Sequence, residues 1–188
     1  MRLTLVRHPQ PLVAAGVCYG STDLDIAPGQ LEHTLAALAP QLPADVPLYS
    51  SPLRRCAGLA ARLSAAPIYD ARLVEMDFGA WEMRPWDDIP RADIDAWAAD
   101  MVHYQPGGGD SVLRMAARIA DFYEDLQRQL CEDGKDGEDG SGQAIVICHA
   151  GAMRLLSARH AGLPLAAMAH QAASTPHKIA YGELLILA

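Results

Sequence analysis

Residues 144–151 read Ala-Ile-Val-Ile-Cys-His-Ala-Gly, and this stretch decides the fold class. Five apolar residues in a row, three of them β-branched, predict a strand buried on both faces, as strands of a parallel sheet are. His149 and the small residues after it lead into a predicted helix over 153–160, which Gly162 and Pro164 end. The stretch therefore predicts a buried strand that runs almost directly into a helix, with a histidine at the junction.

Apolar runs and helical periodicity continue this alternation along the chain. Further strands are predicted at 3–6, 46–49, 67–69 and 184–187, and further helices over 31–42, 52–63 and 112–130. Ser51 is the expected N-cap of the 52–63 helix, with Pro52 as its first helical residue. Strands alternating with helices predict an α/β fold, a three-layer α/β/α sandwich with a largely parallel central sheet.

The composition fits a single globular domain over residues 1–188. Apolar residues make up 51% of the chain, charged residues 20%, and the net charge is −8. These values exclude a disordered, collagenous or coiled-coil protein and make nucleic acid or an anionic membrane a poor partner. No apolar stretch is long enough to span a bilayer, and the N-terminus lacks the features of a signal peptide. Four cysteines without CxxC spacing indicate reduced thiols, so we expect a cytoplasmic protein, and a homodimer is compatible with the sequence.

Residues 131–143 differ in character from the rest of the chain. They contain four glycines and five acidic residues against one lysine. Such a composition cannot bury apolar surface, so it predicts an acidic, glycine-rich surface loop between a helix and a strand.

Three of the predicted strands run into basic residues. In chain order these residues are Arg7 with His8, Arg54 with Arg55, and His149. The carboxyl ends of parallel strands meet at one edge of a sheet, where ligands of α/β proteins bind and helix N-termini favour anions. One such residue alone is most often simply solvated. The whole group, in an otherwise acidic protein, indicates a phosphate site.

The chain resembles the histidine phosphatase (phosphoglycerate mutase-like) superfamily. The resemblance rests on four segments in order: Leu5-Val6-Arg7-His8, Ser50-Ser51-Pro52-Leu53-Arg54-Arg55-Cys56, Glu75-Met76-Asp77-Phe78-Gly79-Ala80-Trp81-Glu82 and Val146-Ile147-Cys148-His149-Ala150-Gly151. Within the superfamily, residues 16–23 and the start Arg7-His8-Pro9 resemble alpha-ribazole phosphatases. The resemblance implies a phosphoglycerate mutase-like fold and a phosphatase of small phosphorylated metabolites.

The resemblance implies a phosphohistidine mechanism without a metal or another cofactor. His8 is then the nucleophile, while Arg7, Arg55 and His149 hold the phosphoryl oxygens. Elementary chemistry agrees, because a phosphomonoester needs an in-line nucleophile and paired donors on its equatorial oxygens. Arg54 stands at a variable position before the matched arginine, so Arg55 is the expected ligand.

The same resemblance makes Glu75 the donor of a proton to the leaving group, with Asp77 as the nearest alternative. The expected substrate-binding residues are Tyr19, Gly20, Ser21 and Ala150. Tyr19 is as well explained by packing as by contact with a flat base. The tryptophans, Trp81, Trp86 and Trp97, are more often packing residues than ligand stackers, although their apolar surface suits such a base.

Several positions depart from the superfamily pattern. Pro9 and Met83 stand where glycine is usual, and Leu59 stands where threonine is common. Pro9 has no N–H and so cannot donate to a phosphate. The run at 107–109, Gly-Gly-Gly, lacks the lysine of a P-loop and is expected to be a flexible turn.

The expected reaction is removal of the 5′-phosphate of alpha-ribazole 5′-phosphate, a step in assembly of the cobalamin nucleotide loop. Two alternatives remain: a broad-specificity or sugar-phosphate phosphatase on the same scaffold, and a non-catalytic phosphate-binding pseudoenzyme. Retention of all the implied catalytic side chains argues against the pseudoenzyme.

Overall fold

The computed structural model of the chain describes residues 1–132, 142–175 and 178–188. Its strands are β1 (Arg2–Arg7), β2 (Leu48–Ser50), β3 (Ile68–Tyr69), β4 (Gln143–Cys148) and β5 (Leu184–Leu187). Its α-helices are α1 (Gln30–Leu38), α2 (Arg54–Leu63), α3 (Arg91–Ala99), α4 (Val112–Glu132), α5 (Ala150–His160) and α6 (Leu165–Ser174). The predicted loop at 131–143 lies mostly outside the described residues. Within those residues, no helix combines the length and apolar character that crossing a membrane requires.

The strands form one sheet in the order β3-β2-β4-β1-β5. The first four strands of this order run parallel, and β5 is antiparallel to β1. The prediction of a largely parallel central sheet is therefore confirmed. This topology brings the carboxyl ends of β1, β2 and β4 to the same edge, where the basic residues identified in the sequence follow them.

Side chains of the two central strands alternate between the faces of the sheet, and helices cover both faces. Leu5 and Val146 are fully buried on one face, in a core shared with α4, α5 and α6. Val6 and Ile147 are fully buried on the other face, together with residues of α1 and α2. Burial on both sides explains why these strands read as continuous apolar runs. All four cysteines are free in the structure.

Several predicted boundaries differ from the structure. The helix expected at Pro52 begins at Arg54, and Leu53 rather than Ser51 stands at its N-cap position, without a side-chain cap. The reason is that Ser51 still belongs to the strand edge: its N–H donates to the Ile147 carbonyl at 3.0 Å. α5 begins at once after His149, earlier than the expected 153, and α6 was not predicted at all.

The segment between β3 and α4 consists mainly of short turns around α3. Its turn at 77–79 packs directly against the glycine run at 107–109. A Cβ on Gly107 would lie 2.3 Å from the Phe78 carbonyl oxygen, and one on Gly109 would lie 2.3 Å from the Asp77 oxygen. The expectation of a merely flexible turn is therefore wrong: these glycines permit a close backbone contact.

Candidate active site

The candidate active site lies where β1, β2 and β4 end. β1 ends at Arg7, and the N–H of His8 donates to the Cys148 carbonyl at 3.0 Å, which continues the pairing with β4. Arg55 lies in the first turn of α2, and His149 immediately precedes α5. Arg7, His8, Arg55 and His149, here called the basic cluster, line one cavity of about 680 Å³. The structure thus brings together the residues that the sequence predicted to meet.

His8 is held in the orientation that a nucleophile requires. Its ring is buried, and Nδ1 lies 2.7 Å from the Pro9 carbonyl oxygen. A carbonyl only accepts, so Nδ1 carries the proton and Nε2 keeps its lone pair. Burial, followed by the charge of Arg55, lowers the pKa of His8 to about 3. The imidazole is therefore neutral near neutral pH. Pro9, which cannot donate to a phosphate, instead contributes the carbonyl that orients this ring.

Both arginines of the basic cluster are fixed by backbone carbonyls. The Arg55 side chain is fully buried and donates from Nη1 to the Thr22 carbonyl at 2.6 Å and from Nη2 to the Gly20 carbonyl at 2.5 Å. Arg7 donates from Nη1 to the Ile179 carbonyl at 2.5 Å. The Nε atoms of both arginines are buried and have no partner among the described residues. Carbonyls orient the guanidinium groups without neutralising them, so their charge remains available to an anion.

Buried and half-buried arginines divide into two groups of three within the described residues. One group forms ion pairs with carboxylates: Arg72, Arg118 and Arg159. The other has no carboxylate at ion-pair distance in the described part of the chain: Arg7, Arg55 and Arg154. All three members of the second group line the cavity. Among the described residues, the buried and half-buried arginines without a carboxylate partner therefore all lie at the candidate site.

His149 lies beside His8, with ring centroids 5.0 Å apart. Its Nε2 is 2.9 Å from the Ser51 hydroxyl oxygen and 3.5 Å from the Cys56 sulfur. Burial, reinforced by the neighbouring His8 and Arg55, holds the pKa of His149 well below its usual range. Both histidines are thus neutral before an anion enters the site.

Glu75 lines the same cavity. Its Oε2 accepts from the Gly151 N–H at 2.9 Å, at the start of α5, and its Oε1 accepts from the Met76 N–H at 3.1 Å. A Cβ on Gly151 would lie 2.3 Å from Oε1, so glycine is required for this close approach. Asp77 is not among the cavity residues, and its Oδ1 accepts from the Gly79 N–H at 2.8 Å. Of the two carboxylates, Glu75 is therefore the one that lies at the cavity.

The expected substrate-binding residues do not all reach the cavity. Tyr19 and Ala150 line it, whereas Gly20 and Ser21 are not among its lining residues. The N–H groups of Gly20 and Ser21 both donate to the Glu82 carboxylate at 3.0 Å. Glu82, which is not among the cavity residues, therefore holds the backbone of this loop. A substrate role for these residues stays a prediction.

Sequence reasoning missed Tyr181 and Arg154, which both line the cavity. Tyr181 lies with its ring 4.0 Å from the Arg7 guanidinium carbon, and its hydroxyl is 2.6 Å from that of Tyr19. Trp86 and Trp97 lie parallel, with ring centroids 6.1 Å apart, whereas Trp81 is buried in the core. Tyr181 belongs to no motif. The sequence singled out all three tryptophans, but the fold was needed to show that Trp86 and Trp97 line the cavity and that Trp81 is not among its lining residues.

The described residues contain no group of three or more histidine, cysteine or acidic side chains arranged to hold a metal ion. The cavity instead contains three unpaired guanidinium groups, two neutral imidazoles and one carboxylate. This set can bind an anion, present a nucleophilic nitrogen and exchange a proton.

A model of the histidine phosphatase superfamily (branch 1) matches residues 3–180. Two curated relatives are both named adenosylcobalamin/alpha-ribazole phosphatase. The Escherichia coli (strain K12) protein is 32% identical over 110 residues, which cover 52% of this chain and 45% of that protein. The Salmonella typhimurium protein is 29% identical over 188 residues, which cover 90% of this chain and 84% of that protein. The E. coli match therefore spans less than half of that relative's length.

Two solved structures show the same fold. A mycobacterial glucosyl-3-phosphoglycerate phosphatase is 27% identical, with a TM-score of 0.74 over 90% of this chain and 83% of that chain. An alpha-ribazole phosphatase from Shigella flexneri is 25% identical, with a TM-score of 0.77 over 99% of this chain and 89% of that chain. The phosphoglycerate mutase-like architecture expected from the sequence is thus confirmed.

Proposed function

The chain belongs to the histidine phosphatase superfamily, and from that premise we propose that it hydrolyses phosphomonoesters through a phosphohistidine on His8. The observation that carries this proposal is the state of His8. Its Nδ1 proton is bonded to the Pro9 carbonyl, and its Nε2 has no hydrogen-bond partner among the described residues, in a cavity that Arg7 and Arg55 also line. A neutral nucleophilic nitrogen next to unneutralised guanidinium groups is the arrangement that phosphoryl transfer needs.

In the first half-reaction, His8 Nε2 attacks phosphorus and the bond from phosphorus to the ester oxygen breaks. Arg7, Arg55 and His149 bind the phosphoryl oxygens, and Glu75 gives its proton to the departing alkoxide. In the second half-reaction, water attacks phosphorus and gives a proton to the Glu75 carboxylate. The bond from phosphorus to Nε2 then breaks, which releases inorganic phosphate and restores the enzyme.

The preferred substrate in this proposal is alpha-ribazole 5′-phosphate, which would place the enzyme in assembly of the cobalamin nucleotide loop. Three rings, Phe78, Trp86 and Trp97, line the cavity, and we call them the aromatic wall. They contact one another edge to face and in parallel, with ring centroids 5.9 to 6.1 Å apart. Contact of a flat base with such rings is worth about 1–3 kcal/mol, by analogy with base stacking. The names of the two curated relatives and of the Shigella structure support the same substrate.

Arg154 favours a second candidate, a phosphatase for sugar-phosphate or phosphoglycerate esters. This half-buried arginine lines the cavity and donates to the Thr175 carbonyl, but it has no carboxylate at ion-pair distance among the described residues. Desolvation lowers its pKa, so an acidic group on a substrate would stabilise its charged form. The mycobacterial neighbour is named for a phosphoglycerate ester, and a glycerate moiety carries such a group.

A substrate panel separates the two candidates and the pseudoenzyme. We expect kcat/KM for alpha-ribazole 5′-phosphate to exceed that for ribose 5-phosphate and 3-phosphoglycerate by about 5- to 150-fold, the equivalent of 1–3 kcal/mol. Trp86→Ala should narrow that gap while leaving ribose 5-phosphate unchanged. Met83→Ala, at an exposed neighbouring position outside the cavity, is the matched control.

Equal constants for all three esters would contradict the ribazole assignment and leave the phosphohistidine mechanism standing. A preference for 3-phosphoglycerate that Arg154→Met abolishes would support the second candidate. Failure to hydrolyse any phosphomonoester, aryl esters included, would identify a pseudoenzyme.

A further inference from the structure

The residues around Glu75 contain little regular structure that could fix a catalytic carboxylate. Only a short 3-10 turn at Ala71–Leu73 precedes it, and residues 74–78 belong to no helix or strand. We call residues 72–77 the acid segment. Its backbone carbonyls cannot be bonded within a sheet or helix ladder, and each buried carbonyl needs a donor from elsewhere. Most of these donors come from one side chain.

That side chain is Arg118, in the second turn of α4. Its Nη1 donates to the Arg72 carbonyl at 2.6 Å and to the Val74 carbonyl at 2.5 Å. Its Nη2 donates to the carbonyl of Glu75 itself at 3.1 Å. A single guanidinium group therefore ties the backbone of the proton donor, and that of the residues before it, to a long helix of the core.

The other end of the acid segment is tied to the same helix region through Asp110. The Asp110 N–H donates to the Asp77 carbonyl at 2.8 Å, and its Oδ2 lies 3.5 Å from Nη2 of Arg118. Both side chains are mostly buried, with exposed fractions of 23% for Arg118 and 22% for Asp110. The pair thus clamps the acid segment on both sides of Glu75.

Arg118 is not among the residues that line the cavity, so the structure gives it no place in contact with a bound substrate. On the proposed function, Glu75 must reach the ester oxygen while its Oε2 stays near the Gly151 N–H. We propose that Arg118 is a positioning residue for the proton donor: it fixes where the Glu75 carboxyl meets the leaving group. A misplacement of about 1 Å in such a group costs on the order of 100-fold in rate.

Leaving-group dependence distinguishes this role from general support of the fold. Alkyl phosphates need protonation of the departing oxygen, whereas nitrophenyl phosphate has a good leaving group that needs little. We expect Arg118→Lys, which keeps the charge but loses the planar set of donors, to lower kcat/KM for an alkyl phosphate by about 10- to 100-fold. The value for nitrophenyl phosphate should fall by less than about 3-fold, because loss of the acid barely affects this ester. If Arg118 only supported the fold, Arg118→Lys would lower kcat/KM for both esters by the same factor.

The matched control is Arg114→Lys, one turn earlier on α4. The Arg114 side chain is 62% exposed and its Nε lies 3.8 Å from the same Asp110 carboxylate, but it bonds no carbonyl of the acid segment. In Arg114→Lys, the ratio of kcat/KM for the alkyl phosphate to kcat/KM for nitrophenyl phosphate should equal that of the wild type. Asp110→Asn, which weakens the clamp without removing Arg118, should shift the ratio in the same direction as Arg118→Lys but by less.

A double variant completes the test. If Arg118 acts through Glu75, adding Arg118→Lys to Glu75→Gln should cause no further loss on the alkyl ester, because the two changes remove the same function. Additive losses, or equal losses on both esters for Arg118→Lys, would overturn the inference. If Glu75→Gln alone lowers kcat/KM for both esters by the same factor, the assignment of Glu75 as the acid fails. That result would contradict the proposed function and not the role of Arg118.

Discussion

The two sides of the cavity are built in different ways. The basic cluster follows directly from the ends of β1, β2 and β4, so its positions are set by strand pairing and the sheet core. The opposite side, with Glu75 and the aromatic wall, is carried by α3 and by short turns that side chains such as Glu82 and Arg118 hold in place. In the proposed mechanism, the phosphoryl group is bound at the sheet edge and the leaving group lies on the side built from α3 and short turns. Residues in such turns can change without disturbing the sheet edge.

The largest effect that this contrast predicts is at neighbouring arginines of α2. Arg55 is fully buried in the basic cluster, whereas Arg54 is exposed and paired with Asp23 and Asp25. Arg55→Lys should lower kcat/KM by about 100- to 1,000-fold, the usual cost of losing one oriented donor on a developing charge. Arg54→Lys should change it by less than about 2-fold. Steady-state kinetics on nitrophenyl phosphate measures kcat/KM of both variants. Similar losses in Arg55→Lys and Arg54→Lys would contradict the different roles of the two arginines.

Mild acid should lower the free energy of unfolding through the histidines of the basic cluster. The pKa of His8 is about 3 in the folded protein and about 6.5 in the unfolded chain. Below pH 6.5 the unfolded chain therefore binds a proton on this ring, whereas the folded protein does not until the pH approaches 3. The stability from this histidine is present above pH 6.5 and is lost as the pH falls toward 3. Between pH 6.5 and 5 the loss is about 2 kcal/mol, and His149 acts in the same direction.

Urea unfolding over this pH range tests that expectation. His8→Gln should reduce the slope of the unfolding free energy against pH by about one proton. The carboxyl groups of Asp70 and Asp125 have lowered pKa values, so their contribution is lost only at more acidic pH. An unchanged slope in His8→Gln would mean that the folded protein protonates this ring readily.

The smallest predicted effect is in the loop-built side of the molecule. Met83 has a φ of 64°, in the left-handed region that penalises residues with a Cβ. Met83→Gly should raise the free energy of unfolding by about 0.5–1 kcal/mol and leave kcat/KM unchanged. Asp45 has a φ of 57°, but aspartate tolerates this region better than methionine does. Asp45→Gly should therefore raise the free energy of unfolding by less. Thermal unfolding compares the stability of the two variants. A loss of stability in Met83→Gly would contradict the claim that the backbone at Met83 is strained.

The same contrast explains what the sequence could predict. Arg7, His8 and His149 stand next to apolar runs that identify their strands, so local pattern placed them at one sheet edge. Tyr181 and Arg154 lie in the cavity because of packing between distant elements, which no local spacing records. α6 was missed because its alanine-rich sequence lacks a clear apolar period. The expected cap at Ser51 failed because the Ser51 N–H pairs with the distant Ile147 carbonyl, which keeps this residue in the strand edge.

The central claim is that His8 forms the covalent intermediate, and rapid quenching during turnover tests it most directly. Mass spectrometry and phosphorus NMR of the enzyme quenched in alkali should find one acid-labile phosphoramidate on His8. Its phosphorus should be on Nε2, because Nδ1 donates to the Pro9 carbonyl. The adduct should form at least as fast as kcat and be absent from His8→Asn. Turnover without a phosphoenzyme, or phosphate on Nδ1 or on another residue, would contradict the mechanism.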